Sequence, residues 1–115
     1  MPKSIIMISK VNLECKIKEI PNKPWSPVEV ARVKGYILRM ALFHGEYHWH
    51  KHENEDEIFC VYKGSIIIQV KNQPNIRLNE GEIAVIPEGT FHCPKSSEPS
   101  YVLLFQSSSL DIRGD

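Results

Sequence analysis

From Tyr36 to Gln106 the chain is a run of short apolar or alternating segments, each closed by a turn signal, and that pattern admits little but an all-β fold. The segments read as strands over Tyr36–Phe43, Tyr47–His52, Ile58–Lys63, Ser65–Lys71, Ile76–Leu78, Ile83–Ile86, Phe91–Lys95 and Tyr101–Gln106. Gly45, Gly64, Asn72-Gln73-Pro74-Asn75, Glu80-Gly81 and Pro87-Glu88-Gly89 separate them. Many short strands at even spacing predict a sandwich or a barrel. A small closed barrel encloses one ligand-sized cavity. Helix is expected in one place, a turn or two opening at Ser26. Pro27 suits the first helical position, Ser26 and Glu29 have capping-box spacing, and Gly35 ends the segment. Asn12–Ile20 reads either as a strand or as an irregular arm.

The histidines supply the chemistry. His50 and His52 alternate, so on a strand both side chains face one way. The polar turn Glu53-Asn54-Glu55-Asp56 can bring Glu57 back to that side. His92 lies forty residues beyond His52, so only a chain that returns to the same place can use it. Three imidazoles and one carboxylate are a full set of protein ligands for one divalent transition metal. A lone His-x-His is more often a surface pair; its joint spacing with Glu57, Gly64 and His92 singles this one out.

Neighbouring residues carry weaker signals. His48 continues the alternation, either as a group orienting a ligand or meeting a substrate, or as a solvated rim histidine. His44 precedes Gly45, where a bend can break the parity. Phe59 and Val61 share the parity of Glu57 and should line the cavity, although core packing alone also explains them. Trp49, Ile58, Cys60 and Tyr62 take the other face. Arg39 interrupts the apolar strand Ile37–Leu42; inward it would anchor a substrate anion, while an exposed outward position is the commoner outcome. The acidic turn lacks the ligand number and spacing of a calcium loop. Cys93 adjoins His92 but alternates to the opposite face, as a small packed apolar residue. No serine or cysteine nucleophile with a positioned base stands out, nor any glycine-rich phosphate loop, so chemistry must come from the metal.

Two segments resemble the paired motifs of the cupin superfamily. The first has His50, His52, Glu57 and Gly64 at the family's spacing, with Gly45 one residue closer to the first histidine than usual. The second has Gly81, Pro87, Gly89 and His92 in place and departs at Ser96, where the family has Asn. Trp25-Ser26-Pro27 and Arg113-Gly114-Asp115 extend the resemblance toward small single-domain cupins of the mannose-6-phosphate isomerase-like kind. The resemblance implies a jelly-roll barrel binding one divalent ion (Zn, Mn, Fe, Ni or Co) through His50, His52, Glu57 and His92; strand parity makes His48 and Phe59 the candidates for the substrate pocket. It implies a metal-dependent protein acting on a polar small molecule by isomerase- or dioxygenase-type chemistry. The alternative is a binding or sensing module with a structural metal and no turnover. Small cupins of this kind are commonly homodimers. An open jelly roll also leaves edge strands and an apolar outer face to cover, with Trp49, Tyr62 and Ile5–Ile8 as candidates.

Composition sets the remaining bounds. At 115 residues the chain is expected to be one domain, 1–115. Fourteen basic and fourteen acidic residues cancel and leave no basic patch for nucleic acid. The run Ile5-Ile6-Met7-Ile8 is too short for a signal peptide or a membrane span. Cys15, Cys60 and Cys93 show no metal or redox spacing, which suits reduced thiols in a cytoplasm.

Overall fold

The computed structural model describes residues 7–109 and Gly114. Its regular structure is antiparallel β apart from one short helix, in the order α1 (Leu13–Ile17), β1 (Val28–Val33), β2 (Tyr36–Glu46), β3 (Glu57–Lys63), β4 (Ser65–Val70), β5 (Ile76–Asn79), β6 (Ile83–Ile86) and β7 (His92–Ser107). The sheet runs β1-β2-β7-β3-β6, and β4 joins it through β7 while carrying β5 on its other side.

β7 explains how one sheet folds over into two layers. Its first residues, His92–Lys95, pair with β4, and its last residues pair with both β2 and β3. Between them Ser96 to Pro99 make the bend, opposite a register shift between Phe43 and Gly45 on β2. The strand thus passes from one layer to the other. Inward side chains of six strands then meet in one cluster that includes Phe43, Phe59, Val61, Ile68, Leu78 and Val102. Burial alternates along β3 and β4 as a half-buried strand requires.

Three expectations need correction. The segment after Ser26 is strand β1, not helix. Val28, Val30 and Val33 are β-branched, and pairing with β2 outweighs the local capping signal. The helix lies instead within Asn12–Ile20. Asn12 caps it by accepting from the Cys15 N–H at 3.0 Å, and Glu14 sits in its first turn. Tyr47–His52 is not a strand; it is tied to β7 by an isolated bridge, His50 to His92, and by the Tyr47 N–H, which donates to the Pro94 carbonyl at 3.0 Å. The strands expected at Phe91–Lys95 and Tyr101–Gln106 are the two ends of β7.

The departure at Ser96 also has a structural account. Its hydroxyl donates to the Ser65 carbonyl at 3.0 Å and lies 3.0 Å from the Ser100 hydroxyl, which also reaches Ser65. Two serines thus tie the β7 bend to β4. Gly64 leaves room for this knot: its φ is +93°, and a Cβ there would stand 2.2 Å from the Ser100 hydroxyl.

Candidate metal centre

The loop between β2 and β3 holds His50 and His52 by backbone bonds rather than by strand pairing. His50 and His92 exchange N–H···O bonds, both at 2.9 Å, and the Gly89 N–H donates to the His52 carbonyl at 2.7 Å. Glu57 opens β3 and points inward with Phe59 and Val61. The three segments therefore converge where the β6–β7 turn crosses the loop. His50, His52, Glu57 and His92 are all buried.

The donor atoms of His50, His52 and Glu57 all lie within 4.8 Å of one another. His52 Nε2 stands 3.6 Å from Glu57 Oε1. His92 is outside that tight trio but adjoins it, its ring centroid 4.4 Å from that of His50 and 6.4 Å from that of His52. His50 Nδ1 lies 2.9 Å from the His48 carbonyl and His92 Nδ1 lies 2.8 Å from the Thr90 carbonyl. A carbonyl can only accept, so each Nδ1 carries the proton and each Nε2 presents its lone pair. This is the tautomer a metal ligand needs.

Among the buried polar atoms of the described residues that have no hydrogen-bond partner, Glu57 Oε1 and His92 Nε2 lie at this cluster. Such orphans are rare and costly, and a bound cation would satisfy both. Burial acts on the charges as well. It pulls the His50 imidazole down to about 4 and lowers His92, so both stay neutral. It pushes Glu57 up to about 7, against the opposing pull of the Gln106 N–H. A divalent ion beside Glu57 would reverse that shift and restore the carboxylate. The donor set, its tautomers and its orphaned atoms thus fit a transition metal.

Glu57 is held from behind. Gln106 Nε2 donates to its Oε2, and Arg39 Nη1 donates to Gln106 Oε1 at 2.7 Å. Sequence reasoning missed Gln106, although a signal existed: it is the polar member of an inward row that continues from Val102 and Leu104. It also favoured an outward Arg39. The side chain is half-buried and turned toward Gln106, because a buried amide oxygen needs a donor there.

A cavity opens beside the cluster, with about 380 Å³ of free space, its mouth included. Trp25, Phe43, Tyr47, Phe59 and Leu104 form most of the wall, with His50, Glu57 and Gln106 as its polar side. Phe59 therefore stands where expected, its ring edge toward His92. Val61 packs in the core cluster instead of lining the cavity. His48 is exposed on the rim, its ring 5.1 Å from that of His50, and it supports His50 through its carbonyl. His44 is exposed. Trp49 is exposed and stacks on Phe91. No helix among the described residues is long and apolar enough to cross a membrane.

Comparison with known proteins agrees with the fold. The cupin domain family model matches residues 40–105. The uncharacterized protein YdbB of Bacillus subtilis (strain 168) is 36% identical over 67 residues, covering 58% of this chain and 59% of YdbB, so the match spans about three-fifths of that relative. The crystal structure of a cupin-2 domain containing protein from Shewanella frigidimarina NCIMB 400 superposes with a TM-score of 0.81 at 33% identity, covering 84% of this chain and 93% of the other. Protein NMB1881 from Neisseria meningitidis gives 0.78 at 25% identity, covering 87% and 100%. With the matched region spanning more than half of the chain and both histidine segments, the chain belongs to the cupin domain family.

Proposed function

We propose that this cupin holds one divalent transition metal through His50, His52, Glu57 and His92 and binds a small molecule at the positions those ligands leave open. One observation carries the reading: Glu57 Oε1 and His92 Nε2, buried and without hydrogen-bond partners among the described residues, stand beside two further buried imidazoles at the side of a cavity. Three nitrogens and one carboxylate oxygen fill only part of a five- or six-coordinate shell. The donor set suits zinc, manganese, iron, nickel or cobalt, and affinity order with cellular supply selects among them. When bound, the ion would supply Lewis-acid polarisation of a coordinated oxygen, which suits isomerase-type chemistry, and a redox-active ion such as iron would be needed for dioxygenase-type chemistry. The protein's own part is to present Nε2 of His50 and His92, to hold one oxygen of Glu57 through Gln106, and to keep water from the aromatic wall.

A second reading, a binding or sensing module without turnover, is favoured by the wall itself. Apart from His50, Glu57 and Tyr47 it carries no titratable side chain among the described residues, and His48 lies on the exposed rim. General acid–base groups are thus scarce. Titration with cobalt(II), followed by visible absorption, tests the metal assignment common to both readings. One equivalent should develop the absorption of a nitrogen- and oxygen-ligated ion, and His52→Ala should abolish it. Equal uptake by His52→Ala would refute the assignment.

A further inference from the structure

We propose that the cavity is built for a compact chelating oxygen donor with an apolar body, and that Trp25 sets this preference. The inference rests on the metal reading above and names the ligand class it leaves open. The ligand's head is fixed by the metal. Its body meets the wall opposite, and that wall is aromatic: Trp25 lies 4.4 Å from Phe43 and 4.8 Å from Tyr47, ring centre to centre, and Phe43 meets Phe59 edge-on at 5.9 Å. No lysine or arginine is among the lining residues described. Arg39, the cation on the inward side of β2, is engaged by Gln106 behind Glu57 and does not reach the lining. A phosphate or a polyol chain would shed its water there and find few partners, which is costly. An apolar group of one ring or one branched chain matches this aromatic wall.

Trp25 carries a second, independent sign. Its φ is +65°, a left-handed conformation that bulky residues avoid. Such strain persists only where the surroundings enforce it, and it gathers at ligand sites. Here the Trp25 N–H donates to the Leu42 carbonyl at 2.8 Å, which fixes the backbone of the turn leading into β1. The result is an indole laid against Phe43 and Tyr47 at the cavity wall.

The test uses cobalt-loaded full-length protein and hydroxy acids that share one chelating head: glycolate, 2-hydroxy-3-methylbutanoate, mandelate and gluconate. Binding is read from the cobalt spectrum, with no need for turnover. The branched or aromatic acid should bind at least about tenfold more tightly than gluconate, with glycolate between them. Trp25→Gly accepts the backbone angle without strain; it should cut that ratio below about threefold while cobalt uptake stays unchanged. Trp25→Phe should restore most of the preference. Gluconate binding as tightly as the branched acid, with cobalt bound, overturns the ligand class alone. Undiminished preference in Trp25→Gly overturns the role of Trp25. Failure of the wild-type protein to take up cobalt overturns the metal reading itself.

Discussion

The two oxygens of Glu57 have different neighbours. Oε2 accepts from Gln106, while Oε1 faces His52 Nε2 at 3.6 Å. Arg39 decides which end of the amide faces which way, because a guanidinium only donates and so claims Gln106 Oε1. Glu57 is thereby offered to a metal through one oxygen. Gln106→Leu, which removes that support, should lower cobalt affinity about tenfold or more, and Arg39→Met should do so less; unchanged affinity in Gln106→Leu would show the support to be idle. The pH dependence follows from the same residues. In the metal-free protein Glu57 titrates at about 7 against an ordinary 4.5, so the folded state keeps a proton the unfolded chain has lost, and this contribution to stability falls as pH rises through that window. His50, lowered from 6.5 to about 4, acts oppositely: its contribution rises with pH across that interval. The two offset each other where they overlap. A bound ion requires Glu57 ionised and the histidines neutral, so the melting-temperature gain on adding zinc should be larger near about pH 7.5 than near about pH 5.5. An equal gain at both would contradict this assignment of charges.

At the scale of elements, close approach and bending decide more than propensity does. Gly64 and Gly81 have similar positive φ, +93° and +82°, but only Gly64 would drive a Cβ into Ser100. Gly81→Ala should therefore cost about 1 kcal/mol, and Gly64→Ala about 2 kcal/mol or more, as measured by urea unfolding. Equal losses would mean that the Ser65–Ser96–Ser100 knot yields freely. The same contrast explains what was legible in the sequence. Period-two burial and glycine punctuation mark β3, β4, β5 and β6 to within a residue or two, because each is a local half-buried strand. The helix at Ser26 was misread because capping chemistry is local, whereas β1 exists by pairing with β2. The bend in β7 hides its unity: Pro94, Pro99 and the serines between look like a loop, yet the backbone stays paired on either side. The four buried residues of the candidate site, His50, His52, Glu57 and His92, were legible from spacing. Gln106, Arg39 and Trp25 were not, since what they touch depends on strand neighbours and a turn that spacing does not reveal.

At the scale of the molecule, β6 is an edge strand that pairs only with β3 among the described strands, and it exposes Ile83 and Val85, 59% and 57% accessible. Of the surfaces expected to be covered, Tyr62 is half-buried and bonded to Glu14, Trp49 is exposed, Ile8 is exposed, and Ile5 and Ile6 lie outside the described residues. We expect a second copy to cover the β6 edge. Light scattering should then report twice the chain mass of 13.2 kDa, and paired Ile83→Lys and Val85→Lys substitutions should reduce it to one; a wild-type monomer at micromolar concentration would exclude the dimer. The central claim is that two buried segments meet to bind one ion. Metal analysis of the purified chain and its variants tests it most directly. About one divalent ion per chain is predicted for the wild type and for His44→Ala, with most of it lost in His52→Ala and in His92→Ala. Full occupancy in both of those ligand variants would contradict the account.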